Sequence, residues 1–586
     1  VPQDQVDDAW RSSTSFDDSE WMLSSGAPGG IGFDNAGDYN RFIALNVGGV
    51  MGGQTTCYVR AVFKLTATVR RELDYLALLV RYDDGFVAYL NGERVASANA
   101  PTNLHRRAAA SQPHEAQREE VFDISQFVGR LRTGDNLLAI HALNVSGDSP
   151  DFLIMPKLIA RKNYKNNFVS DLPILTFKSN GALGSDAVSA AVSVIHKNGA
   201  KLTDDAEYSG SAALQTERAL YAYDKLPYRF TLTDAQGLPK DAPLLGIPAG
   251  DEWNLSAPFS DKSLIRTALM SLLAQKMGQS AHSRLCHLFI DDDYRGIYLL
   301  LERKTVRPGR IDIAPMTPQD ESGDALTGGY LLRLDHQRER PGFDSPFTPS
   351  RDNKYPVHYQ FENPGEAITA AQQEYIRAWV TRFEKNADTP TNPDYIHDLD
   401  LSSFVDYFIL NEAAKNVHGY RDLTLFYKDR DSRGGKLAIE PIIEFHHALG
   451  NAAFFAGDLV NGWQIDYLLK NSDARSDTLV APFWWGRLLK DPRFTAPLYK
   501  RWVSLRQGAL AENQVFHVAD SLYRELKTEQ VLNFERWMIF DKTVWPNNSI
   551  AATYDEEFDT MIIWLMDRLD WLDEAMQAFR TDVAHS

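Results

Sequence analysis

Residues 411–421 read Asn411-Glu412-Ala413-Ala414-Lys415-Asn416-Val417-His418-Gly419-Tyr420-Arg421. They close a stretch from Ser403 to Asn416 in which Phe404, Phe408 and Ala413 share one face at helical spacing. His418 then follows the predicted helix, where a protonated imidazole interacts favourably with the C-terminal end of the helix dipole. Upstream, Asp171-Leu172-Pro173 opens a region in which strand and helix patterns mix. There Ser260 is a candidate cap for a helix striped by Leu264, Ile265, Ala268, Leu269, Leu272 and Leu273, with Lys276 in its last turn and Gly278 as terminator. Leu288 to Leu301 reads as two strands about the turn Asp291-Asp292-Asp293. Downstream, Phe558, Met561, Ile562, Leu565 and Leu569 mark a long amphipathic helix from Tyr554 to Phe579.

The first ~160 residues carry a different pattern. From Val59 to Leu65 apolar side chains recur at every second position, with Arg60 and Lys64 on the other face, the period of a half-buried strand. Tyr75 to Tyr82 leads to a turn at Asp83-Asp84-Gly85 and then to Phe86–Leu90; Asn91-Gly92 supplies the positive φ angles of a tight hairpin into Glu93–Ala98. A last strand signal covers Leu137 to Leu143. Residues 1–162 are therefore read as an all-β sandwich, 163–170 as a polar linker, and 171–580 as an α+β domain.

Length and charge support this division. A chain of 586 residues exceeds what one hydrophobic core serves. The balance of 61 basic against 79 acidic side chains, net −18, argues against nucleic acid or an anionic membrane as partner. No apolar run approaches the ~20 residues that span a bilayer. Val1-Pro2-Gln3-Asp4 has neither Met nor a charged-then-apolar leader. It reads as a mature start with a signal peptide removed, so a secreted or cell-surface location is expected. Cys57 and Cys286 fall in different predicted domains, which excludes a disulfide framework.

Several blocks of the second domain resemble the CotH kinase family, an atypical branch of the protein-kinase-like fold. They are Leu244-Leu245-Gly246-Ile247-Pro248 with Asp251-Glu252-Trp253 and Ser260 to Arg266, then Asp293 to Tyr298 with Glu302, then residues 411–421, and finally Pro441 to Asn451 (PIIEFHHALGN). The resemblance runs from about 168 to 578 and implies a kinase-like fold with Mg-ATP as cofactor. The first domain resembles the galactose-binding-like jelly-roll sandwiches attached to such modules, through Asp84 to Gly92 and Asn136 to His141. An extracellular polysaccharide or glycan is the partner this implies.

The chemical positions depart from the family. Its phosphate loop aligns with Arg218, Tyr221 and Lys225, where glycine and hydroxyl residues are missing. Its catalytic Asp falls on His418, and its metal-binding Asp-Phe-Asp falls on Glu444-Phe445-His446. Imidazole is a poor ligand for Mg²⁺, which prefers oxygen, and suits zinc, copper or iron better. His418, Glu444 and His446 are accordingly the candidate catalytic residues. Glu444 and His446 are also the candidate ligands of a divalent metal. Arg218, Tyr221, Tyr223, Lys225, Glu302 and His447 are the candidate substrate-binding residues, a cationic and aromatic set suited to an anionic sugar. The leading expectation is a repurposed polysaccharide lyase or hydrolase acting on an anionic glycan; the runner-up is an Mg-ATP-dependent kinase, and the third reading is an inactive pseudokinase that binds glycan or protein. The plainer alternatives are core packing for His446-His447, strand aromatics for Tyr221 and Tyr223, a solvated strand position for Arg218, and an ion pair for Glu302.

Overall fold

The computed structural model describes residues 7–580 except 25–28, 36, 38, 74, 117–118, 162–167, 218–222, 336–339, 349–354, 390, 393, 422–423, 441–443, 471–479 and 541. The chain forms two compact units, Val1–Asn167 and Phe168–Ser586. Val169–Ser170 already pairs with Ala200–Lys201 inside the second. Most of the expected linker, 163–167, lies outside the described residues.

The first unit is a two-sheet sandwich, as the alternation requires. One sheet orders Ile43–Asn46, Gly30–Asp34, Asp151–Arg161, Tyr75–Asp83 and Glu120–Asp123; the other orders Thr56–Leu65, Gly134–Leu143, Gly85–Leu90 and Glu93–Ala98. Leu76, Leu78 and Val80 from the first sheet meet Phe86, Ala88, Leu90, Leu138, Ile140 and Ala142 from the second in one buried core. These are every-second-residue sets, so each strand gives one face to the core. The Asn91-Gly92 hairpin forms with φ of 50° and 92°. At Asp83-Asp84-Gly85 the chain passes from one sheet to the other, which places both aspartates at a corner of the sandwich.

The second unit opens with a closed barrel of seven strands, a closure the sequence pattern does not announce. Its order is Ile174–Ser179, Val188–Ile195, Tyr208–Thr216, Tyr228–Thr233, Glu252–Ser256, Asp293–Glu302 and Ser283–Ile290. The ring is sealed by a parallel pairing of the first strand with the last, Ile174 opposite His287. The hairpin about Asp291-Asp292 forms, both residues having positive φ. A five-stranded sheet follows, with helices Ala370–Asp388, Leu401–Ala414, Pro492–Arg506, Glu512–Leu526 and Tyr554–Ala575.

One helix start differs from the sequence reading. The helix expected from Ser260 begins at Arg266 and ends at Lys276, with Gly278 beyond it at φ 95°. Leu264 turns to φ 63°, and the Asp261 carboxylate, not Ser260, accepts from the Arg266 backbone N–H at 3.0 Å. Nearly every side chain of this helix is buried, so it is a core helix and not a striped surface one.

Candidate functional site

The helix Leu401–Ala414 is buried almost all round, and its end sets the site. Lys415 closes it in the left-handed region at φ 46°. Gly419 then passes so near Asn411 that a Cβ would lie 2.7 Å from its Oδ1, which leaves glycine as the residue that fits. Asn416 accepts from the His418 N–H at 3.1 Å and donates to the Glu444 carbonyl at 3.3 Å. The loop carrying Glu444 to Asn451 is pinned again by Phe445 N–H on Thr267 Oγ1 at 2.9 Å and by Leu449 N–H on the Ala414 carbonyl at 2.8 Å. Two sequence-distant loops thus bring His418, Glu444, His446 and His447 together, with Ser256 contributed by a barrel strand.

Two subclusters of opposite protonation result. In the first, His446 Nε2 lies 2.9 Å from Glu444 Oε1 and 2.9 Å from Ser256 Oγ, which in turn donates to Glu444 Oε2 at 3.1 Å. The other ring nitrogen, Nδ1, faces Thr267 Oγ1 at 3.4 Å and Asp261 Oδ2 at 3.9 Å. Oxygen on both sides is the environment of an imidazolium. Burial, the largest effect, pulls the His446 pKa down, but the Glu444 charge and the bonds to Asp261 and Glu444 outweigh it and raise it to about 9. Burial likewise pushes the Glu444 carboxyl up, and the His446 charge and its hydrogen bonds reverse this to a net lowering.

The second subcluster is neutral. His418 Nε2 lies 3.0 Å from His447 Nδ1, and His447 Nε2 lies 3.1 Å from both Tyr223 OH and Ser260 Oγ. Tyr223 gives its one proton to the Trp545 carbonyl at 2.8 Å, so its oxygen accepts from His447 Nε2–H. That tautomer leaves His447 Nδ1 to accept from His418 Nε2–H, an assignment made from the bonding pattern. Burial first, then the positive His446, press the His447 pKa down to about 3. Burial and then His447 hold His418 well below its ordinary value. Burial pushes the Tyr223 hydroxyl up to about 12.

Access divides the same residues. His418 and His447 are 2% and 5% exposed, whereas the Glu444 and His446 side chains are 29% and 15% exposed. Of the expected catalytic set, Glu444 and His446 are therefore partly exposed and His418 is buried against His447. Lys225, expected to line a cleft, is 1% exposed; its ammonium donates to the Ile297 carbonyl at 2.5 Å and to Asn533 Oδ1 at 3.0 Å, over the Tyr298 ring. Burial drives its pKa well down. Glu302 is fully buried and answers Lys304 at 3.4 Å, Arg310 at 3.7 Å and His282 at 3.3 Å, the ion-pair alternative. Arg218 and Tyr221 lie outside the described residues.

Sequence reasoning passed over Ser256, Asp261, Thr267 and Trp545. Asp261 lies inside a block that carries the family resemblance, which was a usable signal. Trp545 had none: it is 51% exposed, stacks on Phe454 with centroids 5.1 Å apart, and lies 6.0 Å from the His447 ring.

As candidate metal ligands Glu444 and His446 lie 2.9 Å apart, and with the His446 pKa raised to about 9 a metal there would have to displace a proton from the ring. Among the described residues, one group of three or more His, Cys, Asp or Glu brings its ligand atoms within 4.8 Å of one another: Asp83, Glu115 and Asp151, in the first unit. No helix among the described residues is long and apolar enough to cross a membrane.

Comparison with known proteins gives one match by family: the model of the CotH kinase protein family matches residues 219–572. No curated protein matches the chain. Solved structures that match include a Bacteroides uniformis beta-glucuronidase, at 13% identity over 46% of this chain and 36% of that one, TM-score 0.18. A Bifidobacterium dentium beta-glucuronidase complexed with coumarin-3-O-glucuronide matches at 12% identity over 44% of this chain and 46% of that one, TM-score 0.19. The chain covers less than half the length of each, and at these TM-scores the likeness carries no argument about fold or activity.

Proposed function

Because the chain belongs to the CotH kinase protein family, we propose that it is a pseudokinase member, in which Mg-ATP phosphoryl transfer has lapsed and the former reaction centre receives an extracellular, anionic glycan. The observation that carries this reading is the Glu444–His446 pair. Where the family resemblance places three carboxylates, this chain has Glu444 alone, held at 2.9 Å by an imidazolium. Phosphoryl transfer needs carboxylates free to hold Mg²⁺ and a lysine free to meet phosphate. A positive charge at the metal position repels the ion, and Lys225 is turned into the core. Both features count against Mg-ATP.

The same arrangement suits a carbohydrate. Trp545, 51% exposed, lies against His447, the chain neighbour of the partly exposed His446. An aromatic with its face open and polar groups at its edge is a surface on which sugar rings pack and hydrogen-bond. The imidazolium of His446 supplies the charge that a uronic acid carboxylate would meet. Secretion to the cell surface or beyond accords with this partner.

Calorimetry on the full chain separates the possibilities. No heat is expected with Mg-ATP at millimolar concentration. Saturable binding is expected with acidic oligosaccharides, and it should be lost in Trp545→Ala. Nucleotide binding that requires Glu444 would overturn the proposal.

A second reading, a polysaccharide lyase or hydrolase, is favoured by one observation: the partly exposed members of the cluster are an ionised carboxylate and an imidazolium. Such a pair can accept and donate a proton near neutral pH. Turnover of a bound glycan that falls in His446→Gln would select it; binding without turnover would leave the pseudokinase reading alone.

A further inference from the structure

We propose that the first unit carries a divalent-cation site for calcium, built from Asp83, Glu115 and Asp151. The three come from separate segments. Asp83 ends the strand Tyr75–Asp83, and Asp151 opens its sheet neighbour Asp151–Arg161, where Asp83 lies opposite Leu153. Glu115 enters from the segment that precedes the strand Glu120–Asp123. Their ligand oxygens lie within 4.8 Å of one another.

Proximity of acidic groups is common at protein surfaces; what singles this group out is an unmet buried oxygen. Asp83 is 2% exposed, and its Oδ1 has no hydrogen-bond partner. The adjacent Asp84 shows the contrast, with one oxygen accepting from His114 N–H at 2.8 Å and the other from Val145 N–H at 2.6 Å. Asp151 accepts from Ser149 Oγ at 3.3 Å, which leaves Asp83 and Glu115 to share a single hydroxyl proton, that of Tyr39. It lies 2.5 Å from Glu115 Oε2 and 3.3 Å from Asp83 Oδ2, while the same hydroxyl oxygen accepts from Ala116 N–H. One proton serves one acceptor well, and the distances assign it to Glu115. Asn144, whose amide nitrogen donates to the Asp151 carbonyl at 2.9 Å, also leaves a buried oxygen, Oδ1, without a partner. Among the described residues no Lys, Arg or His forms an ion pair with Asp83, Glu115 or Asp151.

A buried carboxylate oxygen with neither cation nor donor is costly to hold. One cation answers all three carboxylates at once, whereas one proton answers a single one. The donors are all oxygen, which excludes the metals that favour nitrogen and sulfur. Calcium accepts irregular sets of carboxylate, amide and water oxygens, while magnesium demands near-ideal octahedral geometry. Glu115 is exposed and Asp151 partly so, which leaves the ion a way in.

The test uses the full chain, stripped with a chelator and titrated with Ca²⁺ by calorimetry, and with Tb³⁺ read by luminescence excited through tyrosine. One ion per chain is expected, with a Kd on the order of 10⁻⁴ to 10⁻³ M, together with a rise in Tm. Asp83→Asn and Asp151→Asn should abolish binding. Tyr39→Phe should weaken it about 10- to 100-fold and lose most of the sensitised luminescence. No saturable Ca²⁺ binding by the wild-type chain at millimolar concentration overturns the proposal. So does binding that both Asn variants retain, or Mg²⁺ binding of equal strength. Should Asp83→Asn fail to fold, the wild-type, Asp151→Asn and Tyr39→Phe titrations decide by themselves.

Discussion

Alkaline pH should uncouple His446 from Glu444, and the cost can be worked from the site. Surrounded by Glu444 Oε1, Ser256 Oγ and Asp261, the His446 ring titrates at about 9 instead of 6.5. Between those two values the folded chain holds a proton that the unfolded chain has released. The contribution is therefore complete below pH 6.5, declines as pH rises, and is gone above about 9. At 2.303RT per pH across that window it amounts to about 3 kcal/mol. The assay is chemical denaturation of wild type and His446→Gln at pH 6.5 and 9.5, with ¹³C-histidine NMR reporting the ring directly. The wild-type advantage should shrink by about 3 kcal/mol between the two pH values. In Glu444→Gln the ring should titrate well below its wild-type midpoint, because burial then acts without its main opponent. A wild-type ring that titrates at or below its ordinary value would refute the imidazolium and, with it, the argument that Glu444 is unavailable to magnesium.

Acid should expose the other half of the cluster: His447, held neutral down to about 3, makes stability fall as pH drops below 6.5, and His447→Asn should flatten that limb in a denaturation series. Lys225→Met should lower the unfolding free energy by about 1–3 kcal/mol in chemical denaturation, since the Ile297 carbonyl loses its Lys225 donor and Asn533 Oδ1 keeps only the Ile297 N–H. Gly296→Ala should cost about 2–4 kcal/mol in the same assay, because φ is 98° and a Cβ would lie 2.6 Å from Asn533 Oδ1. Trp545→Ala, at a site 51% exposed, should leave stability within about 0.5 kcal/mol while glycan retention on an affinity gel is lost.

Much of the fold was legible because the decisive signals were local. Asn91-Gly92 and the Asp291-Asp292 turn form because residues tolerant of positive φ sit between alternating strands. The helix Tyr554–Ala575 follows its apolar spacing directly. The start of the helix Arg266–Lys276 was not legible, because Asp261, Arg266 and Glu557 form a buried ion network that sets it, and Glu557 is supplied from far along the chain. Barrel closure escaped for a like reason: a parallel pairing between distant strands leaves no periodic mark. At the site, the family resemblance picked out His418, Glu444 and His446, and these do gather together. Their protonation states were not readable, since they depend on Ser256, Asp261 and Thr267 from other segments. The inward turn of Lys225 is set by Asn533, which no motif links to it.

The seal of the barrel carries an implication for how the second unit is made. Ile174–Ser179 is among the first segments of that unit to be synthesised, yet its parallel partner is Ser283–Ile290. On a translating ribosome the early strands emerge as an antiparallel run with one edge open, and that edge stays available to other chains until the later hairpin arrives. Ser170 and His287, on the two sides of the seam, are then both bound by Glu529, which arrives later still. A nascent chain halted before the barrel hairpin would hold an unprotected β edge, so chaperone engagement should peak over that interval and fall once residues 283–302 have cleared the exit tunnel.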